Sequence, residues 1–161
     1  MRNISLKVIG SQQRLFVYVN ELVVADYSIA TSKYGFGEKR DSYKTPRGWH
    51  EIKEKIGAAS PINSVFVARK STGEIYNLKL QTQFPKRDWI LTRILWLSGL
   101  ESGKNLGGDV DTMQRYIYIH GTPDDLPLGR PVSRGCIRMR NHEVIALFDQ
   151  VGVGTKIFIE E

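Results

Sequence analysis

Cysteine is scarce in this sequence: among 161 residues it occurs once, at position 136. A single thiol excludes an internal disulfide framework, and without a pair of cysteines a zinc ribbon is excluded as well. Long hydrophobic runs are also lacking, since stretches such as residues 94–97 fall far short of the ~20 residues that a membrane-spanning helix needs. With 41% hydrophobic and 25% charged residues and no internal repeat, the chain is predicted to form one domain over residues 1–161.

No secretory signal is visible at the start of the sequence, where residues 1–9 pass at once into alternating apolar and polar residues. If Met1 is the native start, a cytoplasmic location is expected. If the chain was trimmed from a longer one, the same start is compatible with a periplasmic location.

Positive charge exceeds negative charge by 23 − 17 = 6. Such an excess suits an anionic partner, and the candidate classes are nucleic acid, an acidic membrane surface and a small carboxylate-rich substrate. The basic residues are scattered, with pairs such as Lys39-Arg40 but no run of five, so a solvated surface is the simpler interpretation. A basic binding protein without catalytic activity is the alternative from another functional class.

The hydrophobic pattern predicts many short strands and few helices. Strands are predicted at residues 4–9, 15–19, 22–25, 27–31, 49–52, 65–68, 76–80, 115–120 and 156–160. Helices are predicted at residues 88–100 and 141–151, the second with Asn141 as its N-cap and Gly152 just beyond its end. This order of elements favours a sandwich or a closed barrel.

The residues best suited to chemistry follow the strand at 115–120. Because side chains alternate along a strand, Ile117 and Ile119 are expected in the core and His120 on the opposite, more polar face. A loop rich in proline and glycine comes next, and loops of this length inside a compact domain are usually functional. Cys136 follows Gly135 at the far end of this loop, 136 − 120 = 16 positions after His120.

A nucleophilic cysteine needs an imidazole or a cation nearby, because a free thiol with a pKa of ~8.5 is only slightly ionised at pH 7. Of the three histidines, His50 lies within an alternating strand and is interpreted as structural, while His142 begins a helix and is interpreted as a surface residue. His120 is therefore the predicted base. A backbone carbonyl is expected to orient its ring, since no Asp or Asn nearby is an obvious partner.

Several segments resemble the YkuD (L,D-transpeptidase) family. The family pattern is a strand-end His, about sixteen residues, and a Ser-x-Gly-Cys core followed by an apolar residue and Arg or Asn, matched here by His120 and Ser133-Arg134-Gly135-Cys136-Ile137-Arg138. Residues 45–52 resemble the family's Thr-Pro-x-Gly turn, and the first hairpin resembles its first strands. Residues 91–101 resemble a segment of some members from Gram-negative bacteria.

The resemblance implies a mainly β fold, an L,D-transpeptidase-type β-sandwich or flattened barrel with one or two helices. It also implies that Cys136 attacks the L-centre carbonyl of meso-diaminopimelate in a peptidoglycan stem tetrapeptide and expels the terminal D-alanine. His120 would be the base and the Gly121 carbonyl its orienter. The N–H groups of Gly135 and Cys136 would form the oxyanion hole. No metal or cofactor is implied.

Arg134 departs from the many members that have His directly before the Gly-Cys pair. Because the substrate ends in carboxylates, and arginine binds carboxylates through bidentate hydrogen bonds, Arg134 and Arg138 are assigned to substrate binding. The alternative for Arg134 is a salt bridge that shapes the loop. Ser133 and Tyr118 complete the expected substrate-binding residues.

The acceptor of the acyl group decides the reaction. With water as the acceptor, the protein would be an L,D-carboxypeptidase that trims tetrapeptides in peptidoglycan recycling. With a second stem peptide or a D-amino acid as the acceptor, it would be an L,D-transpeptidase that forms peptidoglycan cross-links or exchanges the terminal D-amino acid. The motifs do not separate the two, and the lack of an export signal favours the carboxypeptidase. The expected partners are stem peptides and muropeptides, with carbapenem β-lactams as inhibitors. Neither nucleic acid nor a membrane span is expected.

Overall fold

Ten strands and two helices form the fold in a computed structural model that describes residues 3–161. Met1 and Arg2, the first residues of the predicted domain, lie outside the described residues. The strands are β1 (Ile4–Ile9), β2 (Arg14–Val19), β3 (Leu22–Ser28), β4 (Gly48–Ile56), β5 (Ser64–Val67), β6 (Lys70–Ile75), β7 (Ile90–Gly99), β8 (Tyr118–Thr122), β9 (Ile137–Arg140) and β10 (Lys156–Glu160). The helices are α1 (Leu78–Gln83) and α2 (Asn141–Gln150), and neither is long and apolar enough to cross a membrane.

All ten strands join one curled sheet, which has the form of a half-barrel. Its main path runs β3-β2-β1-β10-β4-β7-β5-β6, and β8 and β9 branch from β7. The pairs β1–β10 and β8–β9 are parallel, and the other pairs are antiparallel. The prediction of a mainly β fold with one or two helices is therefore confirmed.

The amino-terminal hairpin forms as predicted, and β1 and β10 have the predicted bounds. Asn20 and Glu21 connect β2 to β3 with φ angles of 49° and 71°. Positive φ at both central residues is typical of the two-residue turns that match the twist of a hairpin.

The main core lies between the curled sheet and α2. Val144, Leu147 and Phe148 of the helix pack against buried side chains such as Ile119 and Ile137. Burial of such side chains contributes ~1.5–3 kcal/mol each to folding. The core therefore fixes β8 and β9, the two strands that flank the predicted site.

The predicted helix at residues 88–100 is wrong, because this segment forms β7. Eight of its ten residues are buried, so both faces of the strand are apolar. The sequence of a strand buried on both faces is a continuous hydrophobic run. Hydrophobic periodicity does not distinguish such a run from a buried helix. A bulge between Leu91 and Ile94, with Thr92 at φ 75°, further disturbs the alternation.

The segment around residue 80 also differs from the prediction. The strand expected at 76–80 is replaced by the exposed helix α1, and residues 70–75, for which no strand was predicted, form β6. The signal that was missed is Asn77, whose side chain accepts a hydrogen bond from the Leu80 N–H at 2.9 Å and caps the helix.

Helix α2 lies where it was predicted, but its ends are built differently. Arg140 is the N-cap residue, and the Asn141 side chain is buried and donates to the Thr122 carbonyl at 2.8 Å. Val151 is the C-cap, and the Gly152 N–H donates to the Thr155 hydroxyl at 3.1 Å. Asn141 therefore ties the helix to the end of β8 and does not cap it.

Candidate active site

The parallel strands β8 and β9 bring the predicted catalytic residues to one face of the sheet. His120 is paired with Arg138, and Ile119 with Ile137. Because side chains alternate along a strand, His120 and Arg138 point to the face opposite the two core isoleucines. Strand β8 begins at Tyr118, later than predicted, since residues 115 and 116 lie in a turn.

The Cys136 thiol lines a cavity of about 520 Å³ at this face. Its sulfur accepts a hydrogen bond from the Tyr118 N–H at 3.3 Å and donates one to the Tyr116 carbonyl at 3.4 Å. Burial raises the pKa of Cys136 to about 12, and the nearby Asp88 carboxylate acts in the same direction. The resting sulfur at neutral pH is therefore a neutral thiol with access to an open space.

The His120 ring is oriented by the residue that follows it. Its Nδ1 lies 2.6 Å from the Gly121 carbonyl oxygen. Because a carbonyl only accepts, Nδ1 carries the proton and Nε2 keeps a lone pair. The side chain is 1% exposed, and this burial lowers the pKa of His120. A neutral imidazole with a free lone pair on Nε2 is the form that accepts a proton.

Gly121 occupies a position without room for a side chain. A Cβ there would overlap Asn141 Oδ1 and would lie 2.6 Å from the Leu91 carbonyl oxygen. Such a contact would displace either β7 or the start of α2. The absence of a side chain therefore keeps the Gly121 carbonyl against the imidazole.

The loop before Cys136 is held by hydrogen bonds within it and beneath it. The Ser133 hydroxyl donates to the Cys136 carbonyl at 2.6 Å and accepts from the Gly135 N–H at 3.2 Å. The Thr45 hydroxyl donates to the Gly135 carbonyl at 2.9 Å. Gly135 has a φ of +125°, a conformation that favours glycine.

These contacts correct two predictions. Ser133 was expected to bind substrate, but it is 1% exposed and its hydroxyl is used within the loop. The Gly135 N–H was expected in the oxyanion hole, but it already donates to Ser133. Within residues 3–161, the Cys136 N–H has no hydrogen-bond acceptor, so it can donate to an incoming ligand.

The two predicted arginines have different surroundings. Arg134 is exposed and lines both the thiol cavity and a neighbouring groove of about 400 Å³. Arg138 is only 13% exposed and forms an ion pair with Asp88 at 3.3 Å. Arg138 was expected to bind a substrate carboxylate, but its guanidinium is already paired with the carboxylate of Asp88.

Tyr118 lies in the wall of the cavity, on the same face as Cys136. Its hydroxyl accepts a hydrogen bond from Arg69 at 3.0 Å. The tyrosine expected to bind substrate is thus held by an arginine from the β5–β6 hairpin.

Within residues 3–161, none of the three histidines lines this cavity. His50 is buried, with Nδ1 3.0 Å from the Gly48 carbonyl and Nε2 2.9 Å from the Thr112 hydroxyl, as its structural interpretation predicts. Burial lowers the pKa of His50 to about 4. His142 is exposed on α2. In the described part of the chain, no three His, Cys, Asp or Glu side chains are grouped as metal ligands.

Comparison with known proteins identifies the family. A family model for the L,D-transpeptidase catalytic domain (YkuD) matches residues 5–159. The chain belongs to this family. The resemblance seen in the sequence is thereby confirmed.

Individual relatives agree with this assignment. The putative L,D-transpeptidase YkuD of Bacillus subtilis is 30% identical over 124 residues, which cover 74% of this chain and 69% of that protein. The putative L,D-transpeptidase YqjB of the same organism is 44% identical over 57 residues, 35% of this chain and 32% of that protein. L,D-transpeptidase 3 from Mycobacterium tuberculosis, solved in complex with a faropenem-derived adduct, has a TM-score of 0.59 at 16% identity and matches 99% of this chain and 61% of its own. This chain thus spans about a third of YqjB and about three fifths of the mycobacterial structure.

Several residues that line the thiol cavity lie outside the sequence motifs from which the site was predicted. Arg69 stacks on Trp96 and Tyr116, with its guanidinium carbon 4.5 and 4.9 Å from the ring centroids. Arg115 donates to the Lys44 carbonyl at 2.6 Å. Asp88 precedes β7 and reaches Arg138. No local motif marks these residues, because strand pairing brings them to the cavity from distant parts of the chain.

Proposed function

We propose that this protein is a cysteine enzyme that transfers acyl groups from peptidoglycan stem peptides through a thioester on Cys136. The observation that carries the proposal is the pairing of β8 with β9, which places the buried His120 ring on the same face of the sheet as Cys136, whose thiol lines an open cavity. Family membership supports the choice of peptidoglycan as the substrate class.

The proposed reaction begins with proton transfer. The Cys136 thiol rotates away from the Tyr116 carbonyl and gives its proton to Nε2 of His120, while the Gly121 carbonyl holds Nδ1–H. The thiolate attacks the carbonyl carbon of the scissile amide, and the resulting oxyanion accepts a hydrogen bond from the Cys136 N–H. His120 then returns the proton to the leaving nitrogen, so that D-alanine departs as an amine and a thioester remains.

Two acceptors can resolve the thioester, and we propose water as the first. Hydrolysis of meso-diaminopimelate–D-alanine bonds would release D-alanine and a tripeptide, the activity of an L,D-carboxypeptidase in peptidoglycan recycling. We propose a cytoplasmic location together with this activity, and fractionation of the source cells would test it.

The second candidate is transpeptidation, and one observation favours it. The groove of about 400 Å³ shares Arg134 and Tyr116 with the thiol cavity, so space for a second substrate adjoins the nucleophile. Three arginines line this groove against one carboxylate, that of Asp41, and the net positive charge suits a carboxylate-bearing acceptor. The arginines are Arg40, Arg115 and Arg134.

The decisive experiment incubates the protein with a disaccharide tetrapeptide and analyses the products by mass spectrometry. D-Alanine with tripeptide indicates hydrolysis, and a dimer, or a tetrapeptide carrying an added D-amino acid, indicates transpeptidation. The Cys136→Ala variant should give neither product. If the wild-type protein leaves the substrate unchanged under every condition, both versions of the proposal are wrong.

Carbapenem acylation provides a second test. A relative of known structure carries a faropenem-derived adduct, and we expect this chain to gain one imipenem mass per molecule, but not after Cys136→Ala. The alternative of a basic binding protein predicts no adduct and retention on a polyanion column at low salt.

A further inference from the structure

Arg138 is a nearly buried cation beside the proposed base. Its side chain is 13% exposed, and the parallel register places it directly next to His120 on the same face of the sheet. A positive charge on the neighbouring strand opposes protonation of the imidazole, because two like charges in a poorly solvated place repel each other. The proposed reaction nevertheless requires His120 to become an imidazolium.

Asp88 provides the opposite charge. Its carboxylate lies 3.3 Å from the Arg138 guanidinium and lines the cavity that contains Cys136. It belongs to the segment that leads into β7, and the neighbouring Arg87 is anchored by an ion pair with Glu74 at 2.7 Å. The carboxylate is thus held by the fold at the place where the buried cation needs compensation.

The charged and titratable groups around the imidazole are few. Strand β7 presents Ile94 opposite His120, strand β9 contributes Arg138, and the segment before β7 contributes Asp88. Asp88 raises the pKa of His120 and Arg138 lowers it, although burial dominates and the pKa is lowered overall. Cys136 is the remaining titratable group, and the positive charge of Arg115 lowers the pKa of its thiol. Asp88 is therefore the anion that favours the imidazolium form.

We propose that Asp88 is a positioning residue, which fixes the Arg138 guanidinium and offsets its charge so that His120 can take up the thiol proton. The inference deepens the proposed function and rests on it. It predicts that the two charges act as a unit, with the aspartate needed only because the arginine is present.

The test compares Asp88→Asn with Asp88→Glu and with a control variant. Asp149→Asn makes the same change in charge at an exposed site on α2. We expect Asp88→Asn to move the midpoint of the His120 titration, followed by imidazole NMR, down by about one pH unit. We also expect it to slow imipenem acylation, but by less than tenfold, because loss of the carboxylate lowers the pKa of the Cys136 thiol as well. Asp88→Glu and Asp149→Asn should leave both measurements close to the wild-type values.

A double variant makes the inference sharper. In Asp88→Asn/Arg138→Gln both charges are gone, and the His120 titration should return towards its wild-type midpoint. The inference is overturned if Asp88→Asn titrates as wild type, if Asp149→Asn shifts the midpoint equally, or if the double variant shows no recovery. If Asp88→Asn does not fold, the glutamate and double variants decide the question. If wild type is never acylated, the proposed function fails, and the NMR midpoints still decide whether Asp88 offsets Arg138.

Discussion

The Thr45 hydroxyl donates a hydrogen bond to the carbonyl oxygen of Gly135, 90 positions further along the chain, at 2.9 Å. The same hydroxyl oxygen accepts from the Ser32 N–H at 3.0 Å. One buried side chain therefore connects the Thr-Pro-x-Gly turn, the segment after β3 and the residue before the proposed nucleophile.

Replacement of this hydroxyl should loosen the Cys136 loop. Thr45→Val keeps the shape of the side chain but leaves the Ser32 N–H and the Gly135 carbonyl without their partner. We expect a loss of ~1–3 kcal/mol in the free energy of unfolding, measured by urea denaturation, together with slower acylation of Cys136. Thr82→Val, at an exposed position of α1, is the control and should change stability far less. Equal losses in the two variants would contradict this role of Thr45.

The raised pKa of Cys136 predicts an unusual alkylation profile. Since burial raises this pKa to about 12, the thiolate fraction at neutral pH is small and grows with each step in pH. We expect the rate of iodoacetamide labelling to rise about tenfold per pH unit between pH 7 and 10 without levelling off. In urea-unfolded protein the rate should level off near the ordinary thiol pKa of ~8.5. A folded-state plateau below pH 8 would instead indicate a resting thiolate–imidazolium pair.

Arg134 should affect the binding of a terminal carboxylate and little else, because it is exposed and lines both cavities. We expect Arg134→Gln to raise KM for the tetrapeptide about tenfold or more, the usual effect of losing a charge-assisted hydrogen bond. A tetrapeptide that ends in D-alaninamide should show no such difference between wild type and variant.

The matched control for Arg134 is Arg40→Gln, which changes a groove residue that does not line the thiol cavity. It should leave KM for hydrolysis unchanged. An equal rise in KM for the amide substrate, or a large fall in melting temperature for Arg134→Gln, would favour a structural role for this arginine.

The two strands that were predicted with the correct bounds, β1 and β10, each have one buried face. In β1 the buried residues Leu6 and Val8 alternate with half-buried positions, and buried residues alternate in the same way in β10, so period-two patterning finds both. Strand β7 is buried on both faces, and β6 is a polar strand on the surface, so neither shows that alternation. Burial in these two cases is decided by neighbouring strands, which local sequence does not reveal.

The site divides in a similar way. The placement of Cys136, His120 and Gly121 was predictable because each depends on its immediate chain neighbours, namely a loop, a strand end and a glycine position, and their catalytic roles stay a prediction. Asp88 and Arg69 were not, because they reach the cavity through tertiary pairing from segments without a motif. Ser133 was misassigned for the same reason, since its hydrogen bonds within the loop exist only once the loop is folded.

His50 should make the stability of the fold dependent on pH. Its pKa falls from 6.5 to about 4 on folding because the ring is buried. Between these values the unfolded chain binds more protons, so this stabilisation is complete above pH 6.5 and is lost as the pH falls towards 4. We expect the wild type to lose ~3 kcal/mol more than His50→Gln between pH 7 and 4 in urea denaturation. His142→Gln, at an exposed histidine, should follow the wild-type curve. Parallel pH curves for wild type and His50→Gln would contradict a buried neutral His50.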